Sequence, residues 1–195
     1  MIFKSKRNKV WLESGRVYKR VSMGAEAARR EACILRGLLE AGVAAPRVLA
    51  LEHDLLALEY VAGETLADVI ELADMTGEHI GAEILAARVI DWFAAFYAAC
   101  PGKIRGDVNC RNFIVAPGAH IIYGVDFEHL DCGCKEADAG RLAAFILNYD
   151  PAYTRYKLEL AGAVTDNFCA RLDIERGLAA AEQALEQERM RQRRS

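Results

Sequence analysis

The sequence predicts an α+β protein in which a small β-rich part comes first and a helical part follows. Two observations carry that prediction. Apolar runs of four to six residues around turn signals fill most of the first sixty residues, whereas apolar residues at helical spacing dominate after Gly63. The chain is 195 residues long, 53% hydrophobic and 27% charged, which suits one domain with a sizeable core or two small lobes sharing a cleft.

The elements follow in order. Val10 to Glu13 and Arg16 to Val21 flank Ser14-Gly15, a two-residue hairpin signal. From Gly24 to Ala41 the composition is helical, with Ala28, Cys33, Leu35, Leu38 and Leu39 marking an amphipathic face, Gly42 at the stop and Pro46 beyond it. Val48 to Leu51 and Leu55 to Tyr60 read as a second hairpin around His53-Asp54. Ile80, Ile84, Leu85, Val89, Trp92, Phe93 and Phe96 predict a long helix ending before Pro101-Gly102. Phe113 to Val115 and Ile121 to Val125 are strands around Pro117-Gly118. Three helices should complete the chain, over 136–147, 151–171 and 174–189, with Asp150-Pro151 and Asp173 as helix starts.

Bulk properties exclude some functions. A net charge of −3 gives no electrostatic footprint for nucleic acid. No apolar run approaches the roughly 18–20 residues that span a bilayer, and Met1-Ile2-Phe3-Lys4 has no signal-peptide architecture, so the expected location is cytoplasmic, with no membrane partner. The six cysteines then read as free thiols. Cys132-Gly133-Cys134 has the look of half a metal site, but no second Cys or His pair matches it. The basic runs 4–9 and 189–194 read as solvated tails or as partner-binding segments. His53, His79, His120 and His129 show no partner pattern.

The chemistry concentrates in Arg105-Gly106-Asp107-Val108-Asn109-Cys110-Arg111-Asn112 and, after a short apolar hairpin, Asp126-Phe127-Glu128. An Asp and an Asn five positions apart, followed by an acidic pair, suit phosphoryl transfer. One carboxylate orients a hydroxyl nucleophile, while an amide and a second carboxylate hold Mg²⁺ on the phosphates of ATP. A polar turn tied by side-chain to backbone hydrogen bonds is the alternative for Asp107 and Asn112.

A strand Lys (Lys19), a helix Glu (Glu31), an apolar strand running into Glu59-Tyr60-Val61-Ala62-Gly63, the Asp107 to Asn112 loop and Asp126 occur in one order, which resembles the protein-kinase-like superfamily over nearly the whole chain. The segment from Glu31 through Gly42 to Pro46 is similar to the helix of RIO-type kinases and of the small kinase subunit of the KEOPS complex. Gly106-Asp107, Asn109 and Asp126-Phe127-Glu128 are more similar to aminoglycoside and choline phosphotransferases. The resemblance implies a bilobal protein-kinase-like fold in a single domain, 1–195, with an N-lobe over 1–60, a hinge over 59–63 and a C-lobe over 64–195. It implies ATP and Mg²⁺ as cofactors.

By the same resemblance, Lys19 would neutralise the α- and β-phosphates, paired with Glu31; a surface lysine and a solvated glutamate are the alternative. Glu26, five residues from Glu31, lies off its face. Backbone groups of Glu59 and Val61 would bind adenine, with Leu58 behind it. Asp107 would orient the acceptor hydroxyl or accept its proton, and Asn112 and Asp126 would ligate Mg²⁺. Glu128 reads as a further ligand or as a solvated carboxylate. Asp138 resembles a helix Asp that accepts hydrogen bonds from the catalytic-loop backbone.

Two departures stand out: residues 4–9 contain no glycine to let backbone N–H groups approach phosphates, and Arg105 stands where the superfamily usually has an architectural His. Asp138 follows Asp126 by only twelve positions, which leaves no room for a long activation segment. The expected partner is therefore a small molecule bearing a hydroxyl. A nucleotide-binding pseudokinase and a partner-associated atypical protein kinase remain alternatives.

Overall fold

The computed structural model describes residues 2–3, 7–77, 80–117, 121–128 and 130–194. The basic residues Lys4 and Lys6 and the histidines His79, His120 and His129 lie outside the described residues.

Five strands, β1 (Ile2–Phe3), β2 (Lys9–Glu13), β3 (Arg16–Arg20), β4 (Val48–Glu52) and β5 (Leu55–Glu59), form one antiparallel sheet in the order β1-β2-β3-β5-β4. Ser14 and Gly15 both have positive φ (49° and 73°), the mirror-image turn whose twist matches a tight hairpin. That turn fixes the register that sets Trp11 against Tyr18, their rings stacked 5.4 Å apart, and Lys19 opposite Leu56 of β5.

Helix α1 (Ala25–Glu40) connects β3 to β4 and packs on the sheet through Ala28, Ala32, Leu35 and Leu38. Gly42 (φ 80°) ends it. The Gly42 N–H donates to Leu39 O at 3.0 Å and the Val43 N–H to Leu38 O at 2.9 Å, the paired bonds of a Schellman stop. The exit from α1 is tied to the helical region. The Ala44 carbonyl accepts from the Gly124 N–H at 3.1 Å and from Trp92 Nε1 at 2.9 Å.

After the sheet come β6 (Glu64–Thr65), α2 (Leu66–Thr76), α3 (Ala82–Ala99), β7 (Lys103–Ile104), a 3₁₀ turn over Cys110–Asn112, β8 (Phe113–Val115), β9 (Ile122–Gly124), β10 (Asp131–Cys132), α4 (Lys135–Asn148), α5 (Arg155–Leu172) and α6 (Arg176–Arg194). Strands β6, β8 and β9 form a second small sheet, and β10 pairs with β7. Trp92, Phe93 and Phe96 of α3 form the aromatic centre, with Trp92 edge-on to Phe113 at 5.2 Å and Phe93 against Phe168 of α5 at 5.0 Å. On α4, Gly140 lets the backbone of α6 near Ala179 approach closely.

Three local expectations are corrected. Helix α2 has no counterpart in the sequence reading. Its start is capped by Thr65, whose hydroxyl oxygen accepts the Asp68 N–H at 3.1 Å and whose O–H donates to the Asp68 carboxylate at 2.6 Å. Helix α5 starts at Arg155, capped by Thr154, and not at Pro151. The carbonyls of Tyr149 and Pro151 turn instead onto the fully buried Lys157 ammonium, which pairs with Asp74 at 2.5 Å. Asp173 adopts the left-handed conformation that closes α5 (φ 53°), so it is a stop and not a start. The basic run 189–194 is the last part of α6, with Met190 buried and Arg189 and Arg193 both paired to Glu186. No described helix is long and apolar enough to cross a membrane. All six cysteines are free.

Candidate active site

Lys19 leaves β3 on the side facing α1, where Glu31 is in phase with Ala28, Leu35 and Leu38. Both side chains are buried, at 4% and 1% exposure, and the Lys19 ammonium lies 2.8 Å from each Glu31 oxygen. Glu26 is exposed and pairs with Arg29 and Arg30, so Glu31 is the helix carboxylate of the site. The ammonium also contacts Asp126 Oδ1, and Glu128 Oε1 lies at 3.4 Å. Glu31 further accepts the Phe127 N–H at 3.2 Å.

One cation thus serves three carboxylates, and the cluster carries a formal charge of −2. Burial by itself would lower the Lys19 pKa, but Glu31 and Asp126 outweigh it and hold the ammonium above its ordinary value. Burial pushes the Glu31 carboxyl up as well, with Asp126 and Glu128 adding to it, against the pull of Lys19. The Lys19 shift comes from its carboxylate neighbours, whereas the Glu31 shift comes first from burial.

The loop that carries Asp107 is fixed from beneath. Arg105 is fully buried. Its Nη2 donates to the carbonyls of Val125 and Asp126, each at 2.7 Å, and its guanidinium stacks on the Phe127 ring at 4.5 Å. Those bonds accompany a left-handed conformation of Asp126, φ 64°, which is uncommon for a residue other than glycine. Burial pulls the Arg105 guanidinium below its ordinary value, opposed by Asp107, Asp126 and Asp138. The expected His is thus replaced by a side chain that reaches both main-chain acceptors.

Asp138 of α4 accepts the Arg105 N–H at 2.7 Å, the Gly106 N–H at 2.9 Å and the Tyr97 O–H at 2.8 Å, as the sequence suggested. Gly106 has φ 72°, and the Asp131 carboxylate fills the space a side chain would need. Above this base Asp107 is exposed, its carboxylate accepting the Asn109 N–H at 3.3 Å. Asn112 donates through Nδ2 to the Asp107 carbonyl at 3.3 Å. Asn109 Oδ1 accepts from the Arg111 N–H at 2.9 Å and the Tyr149 O–H at 2.8 Å.

Lys19, Glu31, Asp126 and Glu128 therefore meet in one cluster, and Asp107 and Asn112 meet in one loop. Glu59 and Val61 lie at the end of β5, where the Glu59 N–H donates to Arg47 O at 2.9 Å and the Glu59 carboxylate accepts the Arg47 N–H at 3.3 Å. Asn8 was missed by sequence reasoning. Its side chain donates to Glu128 and accepts the Ser22 N–H at 3.0 Å, so an amide stands where a glycine-rich loop is absent.

Mg²⁺ takes hard oxygen ligands, and the amide of Asn112 with the carboxylates of Asp126 and Glu128 supplies oxygen donors only. No cluster of three His, Cys, Asp or Glu side chains suited to a metal occurs among the described residues. Such a set would rely on the Asn amide and on phosphate oxygens, as Mg²⁺ commonly does when held by one or two carboxylates plus a nucleotide.

Residues 3–128, which include the whole cluster, match the model of the RIO domain family. The chain is 31% identical over 102 residues to the EKC/KEOPS complex subunit BUD32 of Encephalitozoon cuniculi, an alignment covering 51% of this chain and 45% of that protein. The chain thus spans under half the length of that relative. Among solved structures it resembles WaaP in complex with acyl carrier protein, with a TM-score of 0.62 and 17% identity over 96% of this chain and 87% of that one. It also resembles the PknI kinase domain of Mycobacterium tuberculosis, with a TM-score of 0.54 and 19% identity over 94% and 93% of the two chains. These likenesses establish the kinase-like fold, a β-sheet region followed by a helical one.

Proposed function

The chain belongs to the RIO domain family, and from that premise we propose that it is an ATP- and Mg²⁺-dependent phosphotransferase acting on a hydroxyl acceptor. The observation that carries the reading is the contact of the buried Lys19 ammonium with both Glu31 and Asp126. It supports a role for Lys19 in neutralising phosphates, with Asp126 beside it as a hard-oxygen ligand.

In this reading the protein is one domain with an N-lobe over 1–60, a hinge over 59–63 and a C-lobe over 64–195. The Glu59 carbonyl and Val61 N–H bind adenine. Lys19, oriented by Glu31, neutralises the α- and β-phosphates. Asn112, Asp126 and Glu128 would hold Mg²⁺, which would supply screening of negative charge on the phosphates. Asp107 orients the acceptor hydroxyl and takes its proton. The hydroxyl oxygen bonds to the γ-phosphorus as the bond to the bridging oxygen breaks, and ADP leaves.

The proposed acceptor is a small molecule. Supporting this, the chain goes from Glu128 through β10 into α4 at Lys135, too short a path for a platform that seats a protein substrate. A second reading, an atypical protein kinase working within a partner complex, is favoured by the identity to a protein named as an EKC/KEOPS complex subunit.

Calorimetry of ATP binding with and without Mg²⁺, on the wild type and on Asp126→Asn, tests the site. Mg²⁺-dependent binding that the variant loses supports it. ATP binding indifferent to Mg²⁺ and to the substitution overturns it. Label from γ-phosphate-labelled ATP appearing on a protein, with none on small hydroxyl compounds, would select the second reading.

A further inference from the structure

Cys132-Gly133-Cys134 lies outside the chemistry described so far, and its surroundings are specific. Cys132 is the last residue of β10, paired with Lys103 of β7. The Lys103 ammonium donates to Cys132 Sγ at 3.1 Å. Cys134 is extended (φ −93°, ψ 150°) at the start of α4. Both cysteines are exposed.

Gly133 makes an exposed bend between them, and a side chain there would run into Ile104. Residues two apart in a fully extended chain have Cα atoms about 6.6 Å apart, and a bend brings them closer, within the range of about 4.4–6.8 Å that a disulfide spans. A glycine between them leaves the backbone free to close the remaining distance. Lys103 also stands near Cys100, but that thiol is half-buried, and burial pushes it up against the influence of the lysine. The cation therefore serves an exposed sulfur on one side and a disfavoured one on the other.

We propose that Cys132 and Cys134 form an oxidant-sensitive thiol pair, with Cys132 the residue attacked by a peroxide-class oxidant and Cys134 the residue that resolves it. The Cys132 sulfur bonds to one peroxide oxygen as the O–O bond breaks. Sulfur loses two electrons, the peroxide is reduced to water, and a sulfenic acid remains. Cys134 then attacks that sulfur, the S–O bond breaks, and the oxygen departs as a second water with the Cys134 proton. A cation hydrogen-bonded to sulfur supports the negative charge that the attacking thiolate carries.

The test is peptide mass spectrometry of the reduced full-length chain after a pulse of hydrogen peroxide, with exposed Cys33 as internal reference. The expected product is a peptide carrying a Cys132–Cys134 disulfide, formed while Cys33 is still a thiol. Cys134→Ser should leave Cys132 as a sulfenic acid that dimedone captures. Lys103→Met should slow iodoacetamide alkylation of Cys132 several-fold and leave Cys33 unchanged. Oxidation of Cys33 at the same rate, or an alkylation rate at Cys132 indifferent to Lys103→Met, would overturn the proposal.

Discussion

Lys19→Met is the perturbation whose cost follows most directly from the structure. Methionine keeps the length and removes the ammonium from the cluster, leaving the Phe127 N–H as the donor to Glu31, at 1% exposure, among the described residues. Breaking a buried ion pair from one side costs about 3–5 kcal/mol. For a chain of this length each kcal/mol moves Tm by about 2–4 °C, so a fall of about 6–20 °C is expected at pH 7.5. The cost depends on pH in a stated direction. The Glu31 carboxyl titrates above its ordinary value of 4.5 in the folded protein. The unfolded chain therefore loses that proton first, and the carboxylate destabilises the fold as pH rises through the interval between the two values. Without Lys19 that interval widens, so the variant should recover stability relative to wild type as pH falls towards 5. Urea denaturation at pH 7.5 and pH 5.0, with the double variant Lys19→Met/Glu31→Gln, measures this. The double variant should be more stable than Lys19→Met alone at pH 7.5. A loss below about 1 kcal/mol at pH 7.5, or a double variant no better than the single one, would refute a buried pair that holds the site together.

Further outcomes can be checked separately. Asp107→Asn should lower the rate of phosphate transfer by about 10²–10⁴-fold, and because Asp107 is exposed its thermal midpoint should stay at the wild-type value; a shifted midpoint with retained transfer would contradict the assignment. Arg105→Met leaves the Val125 and Asp126 carbonyls without their donor and should cost about 2–5 kcal/mol in urea denaturation, while weakening Mg²⁺-dependent ATP binding by calorimetry. Gly106→Ala must fit a side chain at φ 72° against Asp131; destabilisation of about 1–3 kcal/mol is expected, and Asp131→Ala in the same chain should relieve only the steric share.

Local signals read well wherever one physical requirement decides. Ser14-Gly15 is legible because a tight hairpin needs positive φ at both positions. Glu31 separates from Glu26 because only Glu31 repeats in phase with Ala28, Leu35 and Leu38, which is also why it reaches Lys19. Helix α2 is less legible. Leu72 and Met75 are exposed apolar residues that blur the stripe of Leu66, Ile70 and Ala73, and the Thr65 to Asp68 cap was the available signal. Arg105 and Lys157 are not legible at all. A buried cation is tolerated where main-chain carbonyls converge on it, and those carbonyls, at Val125 and Asp126 or Tyr149 and Pro151, are placed by tertiary structure. The same holds for Asn8, whose partner Glu128 is 120 residues away in the chain.

The Ala44 carbonyl, with its bonds to Gly124 and Trp92, and the Glu31 bond to Phe127 attach α1 to the helical half at three points. Three such bonds are worth about 3 kcal/mol in all, which leaves an outward-swung helix at about 1% of molecules or fewer. Tilting α1 away is therefore a poor throttle for this protein. The contact of Lys19 with Glu31 and Asp126 is assembled when the chain folds and does not wait on a movement of α1.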